Sequence, residues 1–117
     1  MIDRRKVYVW KWAGEKEFQG IALDVHMFEN NQDGRRELRF DDTVHGHMIP
    51  GEIVKETENG FLFRSDGFKP GEWEFKELTI EAFKRKYYKI VGNGEVIASV
   101  IKTTEDLHEW YRKEFGF

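Results

Sequence analysis

The stretch EIVKETENGFLFRS, residues 52–65, places two short segments of strand-forming residues on either side of Asn59-Gly60. An Asn-Gly pair readily adopts the positive φ angles of a type I′ turn, the commonest two-residue connection between antiparallel strands. The stretch therefore predicts a β-hairpin that turns at Asn59-Gly60. Because Gly60 is expected to have a positive φ, a β-branched residue at this position is expected to destabilise the fold.

Similar short alternating segments fill the first two thirds of the chain and are separated by turn-forming residues such as 30–34 and Pro70-Gly71. Residues 7–13 carry bulky side chains on both faces, which is typical of a central strand. In residues 18–29, strand alternation puts one apolar set on a single face, namely Ile21, Leu23, Val25 and Met27. The other face is mixed and holds Ala22, Asp24, His26 and Phe28. This pattern predicts an antiparallel meander.

At Thr79 the apolar spacing changes from two residues toward 3.6, which indicates a helix. Thr79 is the predicted N-cap, Leu78 and Phe83 form a predicted hydrophobic staple, and Gly92 is the predicted C′ residue that ends the helix.

Residues 95–102 are rich in β-branched side chains and predict one more strand, after which Thr103 or Thr104 is expected to cap a last helix. The whole chain, residues 1–117, is therefore expected to form a single α+β domain. Its core is an antiparallel β-meander of about six to seven strands, either a partly closed barrel or a strongly curved sheet, with two helices in the C-terminal third.

Composition limits the classes of function. The chain has 117 residues, no cysteine, and a net charge of −3 from 19 basic and 22 acidic residues. The lack of cysteine excludes disulfides, thiolate nucleophiles and cysteine-based metal centres, and it fits a cytoplasmic location. No uncharged apolar stretch approaches the ~20 residues that cross a membrane, and charges interrupt the first apolar run too soon for a signal peptide. We therefore expect a cytoplasmic protein without a membrane partner.

Histidines provide the first candidate site. His45 and His47 have the i, i+2 spacing that points two imidazoles to one side of an extended strand, and Asp24 and His26 repeat it. Three imidazoles and one carboxylate are suitable ligands for a divalent transition metal. The alternative, which we favour, is a polar loop at 45–50 and a half-exposed His26, so that no cofactor is expected.

Basic residues interleaved with tyrosines provide the second candidate site, which comprises Lys84, Arg85, Lys86 and Lys89. Such a surface is able to hold phosphates while a tyrosine stacks on a base. Tyr87, however, falls on the apolar stripe of the predicted helix, and the chain lacks the basic excess of a generic nucleic-acid binder. We favour a solvated helix surface, and nucleic acid is not the expected partner.

Aromatic residues provide the third candidate. The chain has ten Phe, four Trp and four Tyr, and we expect most of them to form the core. A surplus left on the surface usually marks a partner site. Phe115 and Phe117 near the C-terminus are the predicted exposed pair, and homodimerisation is the simplest use of such a surplus.

Motifs of catalysis are missing from the sequence: it has no phosphate-binding glycine loop, no Gly-x-Ser-x-Gly and no HExxH. The favoured hypothesis is a non-enzymatic interaction module, an accessory or inhibitor-type protein that binds a protein partner through aromatic and charged surface. The first alternative is a small metal-binding protein or metal-dependent enzyme, and the second is a nucleic-acid-binding domain.

Overall fold

A computed structural model describes residues 2–3, 5–29, 32, 34–44, 48–65, 71–90 and 98–115. Six antiparallel strands form its main part, and each strand pairs with the next one along the chain. The strands are β1 Val7–Trp12, β2 Gly20–Glu29, β3 Arg36–Asp42, β4 Met48–Thr57, β5 Gly60–Ser65 and β6 Glu72–Leu78. β1 also pairs with β6 along its whole length, so the meander closes into a barrel. The α+β meander predicted from the sequence is confirmed.

Aromatic side chains fill the inside of the barrel. The largest are at most 1% exposed, and they are Trp10, Phe40, Phe63, Trp73 and Phe75. The ring centroids of Trp10 and Trp73 lie 4.5 Å apart, and Phe40 meets Phe75 edge-on at 5.0 Å. These are the tilted and edge-to-face arrangements that aromatic pairs prefer. Most of the aromatic residues in the sequence therefore serve the core, as expected.

A second apolar cluster lies outside the barrel, where helical segments cover β1 and the first half of β2. Its members on β1 and β2 are Val7, Val9, Ile21 and Leu23. Its other members are Leu78, Ile80, Phe83, Ile101, Leu107 and Tyr111. Tyr8 and Trp10 belong to the inner core, so β1 is buried on both faces and the central-strand prediction is confirmed.

The first helical segment begins where the sequence predicts. The hydroxyl of Thr79 accepts a hydrogen bond from the backbone N–H of Ala82 at 3.1 Å, as an N-cap does. The segment consists of α1 Ile80–Ala82, a π-helical turn Phe83–Tyr87 and a 3₁₀ turn Tyr88–Ile90. The predicted α-helical geometry is therefore wrong beyond Ala82, although the residues of the predicted apolar stripe, Phe83, Tyr87 and Ile90, do pack in the outer cluster. Gly92 lies outside the described residues.

The predicted seventh strand, residues 95–102, is wrong in its described part, because residues 98–100 form a helical turn. The closed barrel gives the reason, since each edge of β1 and β6 is already paired and no edge is free for another strand. Ile101 is instead 3% exposed and anchors this segment in the outer apolar cluster. Residues 95–97 lie outside the described residues.

The second helix, α2, spans Thr104–Phe115. Thr103 Oγ1 accepts from the Asp106 N–H at 3.1 Å, and the Asp106 carboxylate accepts from the N–H groups of Thr103 and Lys102. This reciprocal pair is a capping box, so Thr103 is the cap of the two that the sequence left open. The same hydrogen bonds lower the pKa of the Asp106 carboxyl below its ordinary value.

The hairpin predicted at residues 52–65 forms, but its turn is one residue earlier than predicted. Thr57 pairs with Gly60, so the two loop residues are Glu58 and Asn59. Neither Asn59 nor Gly60 is among the residues with positive φ, and the type I′ prediction is wrong. Gly60 is required for another reason: a Cβ there would collide with the carbonyl of Phe75 on β6.

Candidate functional site: the Asp24 bulge and the open face

Strand β2 carries a bulge at Asp24. Leu23 pairs with Asp41 and His26 pairs with Arg39, so Asp24 and Val25 together occupy the place of one residue. Asp24 has a φ of 47°, the left-handed conformation that Asp tolerates better than most residues with a side chain. Such a bulge reverses the alternation of side chains along the rest of the strand.

The reversal corrects one expectation about β2. Before the bulge, Ile21 and Leu23 point outward to the helices, whereas after it Val25 and Met27 pack on the inner core. The single apolar face predicted for these four residues is therefore wrong. The outward positions after the bulge are left to polar and aromatic residues.

Asp24 joins the bulge to α2. Arg112 Nη2 donates to Asp24 Oδ1 at 2.7 Å, and Nδ1 of the nearly buried His108 lies 4.0 Å from the same oxygen. Arg112 Nη1 also donates to Glu105 Oε1 at 3.3 Å. The Asp24 carboxylate thus holds the helix against the barrel at the point where the apolar covering ends.

Asp41 lies on β3 beside this ion pair. Partial burial raises the pKa of the Asp41 carboxyl above its ordinary value, and the negative charge of Asp24 raises it further. The positive charges of Arg112, His26 and Arg39 oppose that rise in the pKa. These ionisable groups therefore form one interacting set at a corner of the barrel.

Beyond the bulge, the outward side chains of β2, β3 and β4 form a surface that none of the described helices covers. We call this surface the open face, and it comprises His26, Phe28, Arg39, Met48 and Pro50. His26 pairs across the strands with Arg39, and Arg39 pairs with Pro50, so the side chains are neighbours. Phe28 is 45% exposed and Met48 is 46% exposed.

Phe28 is oriented although it is exposed. The imidazole of His26 lies nearly parallel to the Phe28 ring, at 24° and 6.4 Å between centroids. The guanidinium carbon of Arg39 lies 4.9 Å from the ring centroid, within cation–π range. Two side-chain contacts therefore orient an apolar ring that is exposed to solvent.

The structure tests the four predicted metal ligands only in part. Asp24 and His26 both lie at this corner, but the Asp24 carboxylate is engaged by Arg112. His45 and His47 lie outside the described residues. Within the described ranges, no three His, Asp or Glu side chains form a group able to hold a metal ion. The metal site stays a prediction.

The structure divides the four predicted phosphate-binding residues into two pairs. Lys86 and Lys89 line a surface cleft together with Lys16, whereas Lys84 and Arg85 do not line it. Tyr87 is partly buried against the outer apolar cluster, as its place on the apolar stripe predicts.

The two predicted partner-surface aromatics are not tested. Phe115 is the last residue of α2, but its side chain lies outside the described part of the structure, and Phe117 lies outside it entirely.

No sequence pattern marks Phe28, Arg39, His108 or Arg112 as a functional residue. Arg39 meets Phe28 because two strands pair, and Arg112 meets Asp24 across 88 positions of sequence. Alternation in β3 alone would have found Arg39, since it lies between the core residues Leu38 and Phe40 and must point outward. No local pattern predicts the contact between Arg112 and Asp24.

Comparison with known protein families, with curated proteins and with solved structures finds no match to this chain. Among the helices that the structure describes, none has the length and apolar character needed to cross a membrane.

Proposed function

We propose that this protein is a non-enzymatic interaction module that binds a protein partner through the open face. The observation that carries the proposal is Phe28, whose ring is 45% exposed and yet contacts both His26 and Arg39. Orienting a large apolar ring in solvent reduces the conformational entropy that it loses on binding. A preoriented aromatic ring is what an anchor residue of an interface needs.

The chemistry of the open face supports the same proposal. Aromatic residues, Met and Arg are the side chains enriched at protein interfaces, and Phe28, Met48 and Arg39 supply one of each. Charged side chains pair at its border, where Arg35 Nη2 lies 2.6 Å from Glu37 Oε1 and Arg35 Nε lies 3.6 Å from Glu52 Oε2. Aromatic, Met and Arg side chains within the patch, with paired charges at its border, are features of protein interfaces.

A photo-crosslinking amino acid at position 28 tests the proposal in cells that naturally produce the protein. The same amino acid at position 100 is the matched control, since Val100 is 60% exposed and lies in the helical turn away from the open face. We expect one discrete protein adduct from position 28 and none of that mass from position 100. An adduct of twice the mass of the chain would identify the partner as a second copy.

Charge reversal provides the second arm of this experiment. Arg39→Glu should abolish the adduct, whereas Arg85→Glu, the same change at an exposed position of the π turn, should leave it intact. The proposal is wrong if position 28 gives no discrete adduct, or if positions 28 and 100 give the same adducts.

A further inference from the structure

A cleft that shares no residue with the open face suggests a second binding site. It has a volume of about 370 Å³ and lies between the β1–β2 loop and the helical segment 80–90. We call it the basic cleft, and we define it by Lys16, Phe18, Lys86, Tyr87 and Lys89. Its volume is at the lower end of the range for small-molecule pockets, about 300–1,000 Å³.

The basic cleft concentrates positive charge that the described residues do not neutralise. Lys16, Lys86 and Lys89 are exposed, and no described carboxylate lies within ion-pair distance of them, although Glu17 also lines the cleft. Some cations elsewhere do form ion pairs, as Lys11 does with Glu74 at 3.5 Å and Arg36 with Glu56 at 2.9 Å. Three like charges around one concavity attract an anion by focusing the local electric field.

Two partly buried aromatic residues, Phe18 and Tyr87, line the basic cleft. Phe18 meets Tyr87 edge-on, with 5.9 Å between ring centroids. Lys76 Nζ donates to the Tyr87 hydroxyl at 3.0 Å, and Lys11 Nζ lies 5.2 Å from the centre of the Phe18 ring. Each ring therefore contacts one further cation. The two rings are partly exposed and offer a surface for a planar group.

Two of the four cations in the basic run, residues 84–89, line the cleft. Lys84 and Arg85, which directly precede Lys86, do not line it, whereas Lys89 in the 3₁₀ turn and Lys86 in the π-helical turn do. Turns of this kind interrupt a regular helix and are frequent at functional sites. The arrangement separates two pairs of cations that the sequence alone presents as equivalent.

We infer that the basic cleft binds a compact ligand with at least two phosphoryl groups and an aromatic base. This chemistry is shared by a free nucleotide and by the 5′-phosphorylated end of a single-stranded nucleic acid. The lysines would hold the phosphates as point charges, and the rings of Phe18 and Tyr87 would contact the base. A long duplex is not the ligand, since the chain as a whole has a net charge of −3.

Isothermal titration calorimetry with ATP and with inorganic tripolyphosphate tests this inference. We expect both to bind and ATP to bind more tightly, because only ATP carries a base. The double variant Lys86→Ala/Lys89→Ala should weaken ATP binding by about tenfold or more. The matched control Lys84→Ala/Arg85→Ala removes the same charge from the same segment and should weaken binding by less than about twofold.

A 5′-phosphorylated oligothymidylate of ten nucleotides distinguishes the two sources of the ligand. Tighter binding of the oligonucleotide than of ATP assigns the cleft to a nucleic-acid end, and tighter binding of ATP assigns it to a free nucleotide. Equal losses in the two double variants would mean attraction by net charge alone and would overturn the inference, as would the absence of binding by all three probes. Phe28→Ala should leave ATP binding unchanged, so this test is independent of the open face.

Discussion

The two halves of β2 have opposite surroundings although they belong to one strand. Before the bulge, Leu23 is 1% exposed under the helices, and four residues after it Phe28 is 45% exposed on the open face. Both are large apolar side chains that point away from the barrel axis. The difference shows that apolar character alone does not say whether an outward residue is covered by a helix or left in solvent.

The bulge at Asp24 is the boundary between these halves. The bulge exchanges the inward and outward positions along β2. The Asp24 carboxylate binds Arg112 of α2, which covers the first half of the strand. The covered half is thus built for stability and the open half is available for binding, in agreement with the proposed function.

Truncating one side chain in each half gives the largest expected difference. Leu23→Ala should lower the free energy of unfolding by about 2–5 kcal/mol, because it leaves a cavity under the helices. Phe28→Ala should lower it by about 1 kcal/mol or less, since its ring is half in solvent. Urea denaturation followed by tryptophan fluorescence measures both variants under identical conditions. Equal losses would mean that Phe28 is a core residue and that the two halves do not differ.

Much of the barrel could be predicted from the sequence. Bulky side chains on both faces identified β1 as a central strand, and Thr79 marked the start of the first helical segment, because these signals are local. A hairpin at residues 52–65 followed from the same kind of pattern.

The bulge, the π turn and the helical turn at residues 98–100 could not be predicted, because they depend on contacts distant in sequence. Residues 95–102 have the composition of a strand. The barrel is already closed by β1 to β6, and in the described part of this segment residues 98–100 form a helical turn instead. The residues of the candidate site could be predicted only in part for the same reason. Asp24 and His26 were recognised as a pair, but the partners that surround them come from β3 and α2.

Substitution of Asp24 tests whether the bulge between the covered and the open half of β2 keeps its left-handed backbone. Asp24→Ala should destabilise the protein by about 2 kcal/mol, because alanine is strained at a positive φ and the ion pair to Arg112 is lost. Asp24→Gly loses the same ion pair without the strain and should be about 1 kcal/mol more stable than Asp24→Ala. Thermal denaturation of the two variants measures the difference. If Asp24→Ala is as stable as Asp24→Gly, the left-handed backbone is not maintained in solution.

The ion pair itself is expected to make a smaller contribution. Asp24 and Arg112 are each about one third exposed, at 34% and 36% of their side chains, so water screens their attraction. A double-mutant cycle with Asp24→Asn and Arg112→Gln should give a coupling energy of about 0.5–1 kcal/mol. Raising the salt concentration should reduce that coupling. A coupling energy near zero would mean that apolar contacts alone hold α2 against the bulge.

The smallest expected effect is a pH dependence at Asp41, which lies between the covered and the open half. Because burial and the charge of Asp24 raise its pKa in the folded state, the folded protein binds this proton more tightly than the unfolded chain does. The contribution of Asp41 to stability therefore falls as the pH rises from its ordinary pKa through the raised one.

Asp41→Asn should stabilise the protein slightly at neutral pH, and the gain should disappear at about pH 3, where both states are protonated. Urea midpoints at the two pH values measure it, and an Asp24→Asn background should reduce the gain without removing it, since burial of position 41 remains. A gain that is the same at both pH values would show that the amide acts through packing and that the carboxylates do not interact.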